Sequence, residues 1–336
     1  MDFNPTEEQA AVRGLAGQLF ATATHPGLGV EGFDTDLYAR LVEAGLLGLS
    51  VAEELGGGGL PLAVSAVVAE EAGKAAARTP VVPVLSGLPV LEDEALIAQV
   101  LAGKAIVVPA LQADGWTAGV TADGNALTGT QLGVAWGTEA SHAVVSAGEA
   151  LFLVDLSGPG VSREAVRVSS LEPHANLTFD GAVGVPLAAS ATEALARATL
   201  LLCSYAVGVA EASLLLAAKH VSTREQFGKP LAAFQAISYQ VADCYIDVEA
   251  MRLTAQQAIW RLDEGQPYAE QTAIAAFWGA DAVQRVVSKA VHLHGGLGVD
   301  VSYPLHKWFL IGKVIELSLG GAQRQLEGLG ALLAAR

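Results

Sequence analysis

The sequence predicts an α+β protein with three successive regions: an N-terminal helical domain, a middle β domain and a C-terminal helical bundle. In the first and last parts of the chain, apolar residues recur at the three- and four-residue spacing of amphipathic helices. In the middle part, short β-rich runs alternate with Gly, Asp and Asn, which is typical of strands joined by tight turns. We place the three regions at residues 1–104, 105–187 and 188–336.

The first region is predicted to contain several short helices. 'TEEQAAVRGLAGQLF' opens with Thr6 and carries Gln9 three residues later, an arrangement typical of a capping box at a helix start. 'DTDLYARLVEAGLLGL' continues the helical spacing, and 'EELGGGGLP' interrupts it before 'AVSAVVAEEAGKAA' resumes a helix. 'RTPVVPVL' contains two prolines, so we predict an extended connector there.

The middle region is predicted to be a compact β domain. Its β-rich runs are 'AIVVPAL', 'NALTGTQLGVA', 'HAVVSAG', 'ALFLVDL' and 'ANLTFDGAVGVP'. Their spacing suits a barrel or a sandwich, and we predict a β-barrel. 'ADGNAL' predicts a hairpin turn.

The last region is predicted to be a four-helix bundle, built from the segments 195–220, 234–264, 268–294 and 311–335, which give four or five helices. The stretch 198–218 is almost long enough to cross a membrane. It contains Glu211 and many small residues, and amphipathic segments follow it. We therefore expect a buried helix in the bundle, and no membrane partner.

Composition excludes several classes of protein. With 52% apolar and 16% charged residues the chain is globular, and its net charge of -16 makes nucleic acid a poor partner. The start, 'MDFNPTEEQAAVRG', lacks the basic and apolar segments of a secretory signal. Cys203 and Cys244 sit in apolar, helical-looking stretches, so we expect reduced core thiols, no disulfide, no metal site and a cytoplasmic location.

Two stretches of the last region carry residues suited to an anionic ligand. 'STREQFGKPLAAFQAISYQVAD' contains Arg224, whose forked donors match a pyrophosphate, and Phe227, which adds an apolar face. 'HLHGGLGVDVSYPLHKW' contains Gly295 and Gly296, which let backbone N–H groups approach an anion closely. The alternatives are an ordinary surface arginine and an ordinary helix break.

These two stretches, together with 'LVEAGLLGLSVAEELGGGG' and 'LTFDGAVGVP', resemble the acyl-CoA dehydrogenase family over essentially the whole chain. The resemblance implies FAD as the cofactor. It also implies that these elements hold the ADP half of the FAD that belongs to the neighbouring subunit. His292 stands where the family usually has Gln. The cofactor-binding residues implied in this way are Arg224, Phe227, Phe234, Gln235, His292, Gly295 and Gly296.

The same resemblance implies a base that this chain lacks. Family members remove a weakly acidic α-proton while a hydride leaves for the flavin, so a positioned carboxylate is required. An ungapped alignment from Tyr303 and Pro304 puts Leu319 at the usual Glu, followed by Gly320 and Gly321. The family's alternative position, on the first long bundle helix, falls on Ala198. Since neither side chain accepts a proton, we predict no catalytic residue.

Two nearby acids are weighed as substitutes, and two further departures from the family stand beside them. Glu316 precedes Leu319 by about one helical turn, and Glu211 lies in the middle of the first long bundle helix. Leu310 and Ile311 replace a usual Arg-Asp pair. The stretch 109–123, which the resemblance implies should face this chain's own flavin, is short.

The departures are one-sided, because elements facing a neighbour's FAD persist while elements of the chain's own active site do not. This pattern resembles the small, base-less subunits of actinobacterial heterotetrameric acyl-CoA dehydrogenases that act on steroid side-chain CoA thioesters. The resemblance implies an α2β2 complex in which a larger catalytic subunit holds the acyl-CoA and shares its FAD. The alternatives are a self-sufficient homotetramer that uses Glu316, and a flavin-free structural or ligand-binding protein.

Overall fold

The computed structural model describes residues 3–24, 32–111 and 119–335. The predicted capping box is confirmed, because Thr6 Oγ1 accepts from the Gln9 N–H at 3.2 Å while Gln9 Oε1 accepts from the Thr6 N–H at 2.9 Å. The helices before the β region are α1 Glu7–Phe20, α2 Thr35–Glu43, α3 Leu62–Ala75, α4 Val81–Gly87 and α5 Glu94–Leu101.

The prediction of an extended connector at 'RTPVVPVL' is wrong, since most of that stretch is the helix α4. Pro80 occupies the N-cap and Pro83 the first turn. The first turn of a helix needs no N–H donors, so both prolines are tolerated there. Val81, Val84 and Leu85 are buried, and α4 packs against the strand and the long helix that follow. Burial of these apolar side chains therefore favours the helix over an extended connector.

The β region consists of two four-stranded sheets that face one buried core, in the manner of a sandwich. Asp123 pairs with Ala126 across a two-residue turn, which confirms the hairpin predicted at 'ADGNAL'. The first sheet has the order β1 Val107–Ala110, β4 His142–Ala147, β5 Ala150–Asp155 and β8 Val185–Leu187, with β1 and β4 parallel. The second has the order β2 Thr121–Asp123, β3 Ala126–Ala135, β7 His174–Val183 and β6 Val161–Val166.

The C-terminal region is a bundle of long helices. The segment 311–335 is divided in two, because Gly320 and Gly321 adopt φ values of 79° and 77° that end one helix before the next begins. A short hairpin and a one-turn 310 helix connect the long helices at one end of the bundle. These elements are α6 Ala191–Thr223, β9 Glu225–Gln226, β10 Lys229–Pro230, α7 Gln235–Asp263, α8 Ala269–His294, the 310 helix Gly295–Val299, α9 Leu305–Ser318 and α10 Ala322–Ala334.

Helix α6 lies at the centre of the molecule and contacts α3, α7, α8 and α9. Among the described residues it is the helix long and apolar enough to cross a membrane, and 72% of its most apolar window is buried within the protein. Cys203 on α6 and Cys244 on α7 are buried and free, in agreement with the prediction of core thiols. The α3–α6 contact is so close that a Cβ on Gly208 would lie 1.9 Å from the Glu70 carbonyl oxygen.

Candidate functional site

The C-terminal ends of α6 and α8 meet at one end of the bundle. His220, in the last turn of α6, stacks on His294, the last residue of α8, with ring centroids 4.3 Å apart and planes at 24°. A small buried cluster below the two rings contains Ala217, Val221, Ala290, Leu293 and Leu305. The residues that follow each helix, Arg224 and Gly295, therefore belong to the same end of the bundle, so the structure brings the two predicted motifs together.

Arg224 starts a tight hairpin. Its N–H donates to the His220 carbonyl at 2.8 Å, and its own carbonyl accepts from the Leu231 N–H at 2.8 Å. At the tip, Phe227 and Gly228 have φ values of 54° and 78°, the positive pair of a type I′ turn. A phenylalanine is rarely left-handed, and the Phe227 side chain is 92% exposed. The hairpin thus holds an aromatic ring out in solvent.

Further aromatic and polar groups continue this surface to the start of α7. The Phe227 and Phe234 rings meet edge to face at 6.2 Å, and Lys229 Nζ lies 4.3 Å from the centre of the Phe234 ring. Gln235 is exposed at the first position of α7, and its side-chain amide donates to the hydroxyl of Tyr239. The surface combines aromatic faces, amide donors and positive charge.

The glycine pair is open to solvent. Gly295 ends α8 with φ 60° and ψ -135°, a conformation that favours glycine, and a Cβ at Gly295 or Gly296 would meet no atom within 4 Å. At Gly298, in contrast, a Cβ would lie 2.5 Å from the Val291 carbonyl oxygen, so the 310 helix folds back tightly against α8. The backbone that follows the glycine pair is therefore packed tightly against α8, whereas Gly295 and Gly296 themselves face open space.

His292 lies in the last turn of α8 and is exposed. It lines a cavity of ≈ 690 Å³ between α7 and α8 together with Asp243, Cys244, Ile246, Asp247, Arg285, Ser288 and Lys289. Arg285 is held by Asp247 at 2.8 Å on the opposite helix. The predicted residue thus stands where this cavity approaches the glycine pair.

The residues on this surface fit one part of a dinucleotide. Arg224 and Lys229 supply positive charge in a chain whose net charge is -16. The glycine pair leaves room for backbone contact with phosphates, and the Phe227 and Phe234 rings offer flat apolar faces. Arg224, Phe227 and the glycine pair are exposed, so the surface is open to solvent. The role of these residues toward a cofactor stays a prediction.

The position predicted for the base is part of the bundle core. Leu319 ends α9 and is 5% exposed, and its Cδ1 would lie 3.0 Å from a Cβ at Gly279 of α8. Cys203 of α6 borders the same spot, since its Sγ would lie 3.2 Å from that Cβ. Ala198, the alternative position, is half-buried on α6.

Both acids weighed as substitutes are already paired with cations. Glu316 accepts from Lys313 Nζ at 2.5 Å near the end of α9. Glu211 lies 3.0 Å from both Lys74 and Arg252.

The carbonyl oxygen of Leu310, one of the two residues that replace the family's Arg-Asp pair, accepts from Ser169 Oγ at 3.1 Å. Within the short stretch 109–123, residues 112–118 lie outside the described part of the chain.

The residues that hold this surface together were not among those predicted from the sequence. His294 Nδ1 hydrogen-bonds to the Ala290 carbonyl at 2.7 Å, and its Nε2 to the Tyr303 hydroxyl at 3.1 Å. His220 and Lys229 were also overlooked. One signal was available, because each histidine occupies the last turn of a predicted helix, where a basic side chain is favoured. Their pairing was not visible, since they lie far apart in the sequence.

Comparisons with known proteins identify the family. The sequence profile described as "Acyl-CoA dehydrogenase, C-terminal domain" matches residues 188–333, and the corresponding N-terminal domain profile matches residues 6–92. The chain belongs to the acyl-CoA dehydrogenase family. The resemblance inferred from the four sequence stretches is thereby confirmed, as is the order of helical, β and helical regions. Members of this family depend on FAD.

Relatives match this acyl-CoA dehydrogenase over almost its full length. It is 34% identical to "Acyl-CoA dehydrogenase FadE27" of Mycobacterium tuberculosis over 99% of both chains. A chain in the crystal structure of the ChsE4-ChsE5 complex from Mycobacterium tuberculosis is 32% identical, with a TM-score of 0.92 and 100% of both chains covered. A chain of a variant of the Tcur3481-Tcur3483 steroid ACAD is 36% identical, with a TM-score of 0.91 and 98% of both chains covered.

Proposed function

We propose that this chain is a non-catalytic subunit of an α2β2 FAD-dependent acyl-CoA dehydrogenase. The larger partner supplies the base, the flavin pocket and the acyl-CoA site, and this chain completes the partner's FAD site. One contrast carries the proposal: Leu319 is buried in the bundle core, whereas the surface around Arg224 and Gly295 is open. The two-component names of both solved relatives support a mixed complex, and the word steroid in one of them supports a steroid side-chain CoA thioester as substrate.

When bound, FAD accepts the hydride that leaves the β-carbon of the acyl-CoA. This chain's part is to bind and orient the ADP half of the cofactor. The guanidinium group of Arg224 would donate hydrogen bonds to the pyrophosphate, and Gly295 and Gly296 would donate through their backbone N–H groups. Phe227 and Phe234 cover an apolar face of the ligand. Gln235 and His292 provide hydrogen bonds at the edges of the site.

The outer face of α7 supports docking of a partner. Tyr239, Ile246, Leu253 and Trp260 recur at seven-residue intervals and are 60%, 62%, 43% and 36% exposed. Seven residues make two helical turns, so these side chains form one apolar stripe along the helix. A stripe of this kind is a typical contact surface for another protein. It begins at Tyr239, whose hydroxyl accepts from Gln235, and so continues directly from the proposed cofactor surface.

The proposal is tested by purifying the chain alone and together with its co-expressed larger partner. We expect the chain alone to be colourless and inactive on a broad panel of acyl-CoA substrates, and the complex to be yellow and active. Stoichiometric flavin with turnover in the chain alone would favour a homotetramer that uses Glu316 and would sink the proposal. Flavin in neither sample would favour a flavin-free protein.

The second arm of this experiment replaces Arg224. In the complex, Arg224→Ala removes a charge-assisted contact worth about 1.5–3 kcal/mol. We expect FAD to bind roughly ten- to hundredfold more weakly, because about 1.4 kcal/mol corresponds to one decade. Arg167→Ala is the matched control, since Arg167 is an exposed arginine of the β region. Equal FAD affinity in the two variants would show that Arg224 does not contact the cofactor.

A further inference from the structure

We propose that His220 and His294 are positioning residues of the cofactor half-site, and that binding of the cofactor's pyrophosphate is linked to uptake of a proton from solvent by His220. The inference rests on the proposed function, because it assumes that the pyrophosphate binds at Arg224 and the glycine pair. It goes beyond that function in assigning a task to a stacked pair of rings that touches neither of the predicted contact groups directly.

His294 is 5% exposed and is held at both ring nitrogens. A carbonyl oxygen only accepts, so Nδ1 carries the proton that is donated to the Ala290 carbonyl. In the neutral ring, Nε2 then accepts from the Tyr303 hydroxyl. Tyr303 lies just after the segment that contains Gly295 and Gly296. The ring of His294 thus fastens this segment to α8 on both sides of the glycine pair.

His220 extends this arrangement to the arginine. Its ring is half-buried against His294, and its backbone carbonyl accepts from the Arg224 N–H. A shift of either ring therefore moves the end of α6 relative to the end of α8. Because Arg224 follows the first of these ends and Gly295 follows the second, the stacked pair sets the spacing between the arginine and the glycine donors.

The protonation of His220 depends on its burial and on its charged neighbours. The charged or titratable groups that face it are His294 from α8 and Arg224, the residue that follows α6, with the Tyr303 hydroxyl beyond His294. The segment before α7 and α7 itself contribute apolar side chains to the cluster below, namely Leu231, Ile237 and Val241. Burial, followed by His294 and Arg224, lowers the pKa of His220. The ring is therefore neutral at neutral pH while no anion is bound.

A bound pyrophosphate reverses the preference of His220 for its neutral form. Its negative charge offsets the positive charge of Arg224, and an anion close to a histidine favours the protonated ring. The site also lies at the C-terminal ends of two helices, where a protonated histidine is favoured by the backbone dipoles. Protonation of His220 on binding then follows, and by linkage the affinity for the cofactor must rise as the pH falls. The proton comes from water or buffer.

The test measures proton uptake in the mixed complex after its FAD has been removed. FAD binding is followed by calorimetry at one pH in two buffers of different ionisation enthalpy, and the dissociation constant is measured from pH 8 to pH 6. We expect net proton uptake, and an affinity severalfold higher at pH 6 than at pH 8, since even a one-unit rise in the pKa of His220 on binding gives about tenfold only below both pKa values. His220→Phe keeps a stacking ring but cannot titrate, so uptake and pH slope should both decrease. Groups on the partner titrate equally in both proteins.

Further variants separate the two parts of the inference. His294→Phe keeps the stack but loses both ring hydrogen bonds, so it should weaken FAD binding severalfold at every pH. His220→Gln provides a second non-titrating variant if His220→Phe unfolds. Equal proton uptake in wild type and either His220 variant would overturn the linkage, and unchanged affinity in His294→Phe would overturn the positioning role. If Arg224→Ala weakens binding while the histidine variants do not, only this inference fails; if Arg224→Ala has no effect, the proposed function fails.

Discussion

Leu319 aligns with the base of the acyl-CoA dehydrogenase family, and its surroundings differ from those of a base. A carboxylate that removes a proton needs a cavity for the substrate and groups that hold it within hydrogen-bond reach. The Leu319 side chain instead lies over Gly279 and beside Cys203, in the core formed by α6, α8 and α9. A change at this single position therefore cannot create a substrate site.

We expect Leu319→Glu to destabilise the protein without adding an active site. Burial without a cation raises the pKa of a carboxyl group, so the folded variant favours the protonated acid. Its stability relative to wild type is then best below the unfolded-state pKa and falls as the pH rises through the folded-state pKa. Melting temperatures at pH 5 and pH 8 should show a deficit that grows with pH. The neutral control Leu319→Gln should show a deficit that does not change with pH.

The functional arm of this experiment counts flavins. The mixed complex carrying Leu319→Glu is titrated anaerobically with its acyl-CoA, and the flavin bleached per heterodimer is compared with wild type. We expect the same value in both. A doubled value would mean that a complete pocket surrounds Leu319 and that only the base was missing.

At the level of single residues, the sequence predicted that the two motifs lie close together, but not which contacts hold them there. Arg224 and Gly295 belong to motifs that resemble a family, so their proximity was foreseeable. The stack of His220 on His294 was not foreseeable, because it depends on how two long helices cross. The hydrophobic periodicity of each helix does not show where the two helices meet. The burial of Leu319 was only suggested by its apolar side chain.

Among the elements, the contact of α3 with α6 is the closest approach of two helices described above. A Cβ on Gly73 would lie 2.2 Å from the Tyr205 carbonyl oxygen, and one on Gly208 would lie 1.9 Å from that of Glu70. Both atoms belong to backbone, which cannot move aside as a side chain does. Glycine at these positions lets the two helices touch along their backbones and fixes the first region against the bundle.

Gly208→Ala is expected to destabilise the protein, although alanine is the better helix former. Separating the two helices should cost about 1–3 kcal/mol or more, which exceeds the gain of about 1 kcal/mol in helix propensity. Gly328→Ala in α10 is the control, because a Cβ there meets nothing within 4 Å, and it should stabilise by about 0.5–1 kcal/mol. Chemical denaturation of both variants measures the difference. A neutral or stabilising Gly208→Ala would contradict the close contact.

Element prediction succeeded where local pattern and final packing agree. The bounds of α6, α7 and α8 lie within a few residues of the predicted segments, because their apolar spacing is the spacing that the bundle buries. It failed at α4, where two prolines suggested a connector. The same prolines are compatible with a first helical turn, and only the buried contacts of Val81 and Val84 decide between the two.

Across the whole molecule, a network of charges joins the first helices to the bundle. Arg13 of α1 lies 3.1 Å from Glu70 of α3, and Lys74 of α3 lies 3.0 Å from Glu211 of α6. Arg252 of α7 lies 3.0 Å from the same Glu211 and 3.4 Å from Glu70. Glu70 is largely buried, so its charge depends on these partners.

This network predicts part of the acid sensitivity of the protein. Burial alone would raise the pKa of Glu70, but Arg13, Lys74 and Arg252 outweigh it and hold that pKa below its usual value. A lowered folded-state pKa contributes stability that is present above the unfolded-state pKa and is lost as the pH falls through the folded-state pKa. Unfolding followed from pH 7 to pH 3 should therefore show a stability that declines toward acid.

Glu70→Gln tests this assignment. The variant should be less stable at pH 7 by about 1–3 kcal/mol, since it weakens charged hydrogen bonds of a buried group. It should also lose less stability than wild type on acidification, because glutamine does not titrate. Glu54→Gln, at an exposed position, serves as the control and should match wild type. An acid limb of equal slope in Glu70→Gln and wild type would rule out a major role for Glu70.

The hairpin tip has a consequence for the life of the chain in a cell. A ring like that of Phe227, lifted into water on a strained turn, is attractive to chaperones and proteases that survey newly made proteins for unassembled surfaces. Copies synthesised in excess of the partner should therefore be short-lived, which would keep the two subunits in balance without any dedicated regulator. A pulse-chase measurement with and without the partner should show a longer half-life of this chain in the partner's presence. Equal half-lives would mean that the exposed Phe227 ring is not recognised by chaperones or proteases.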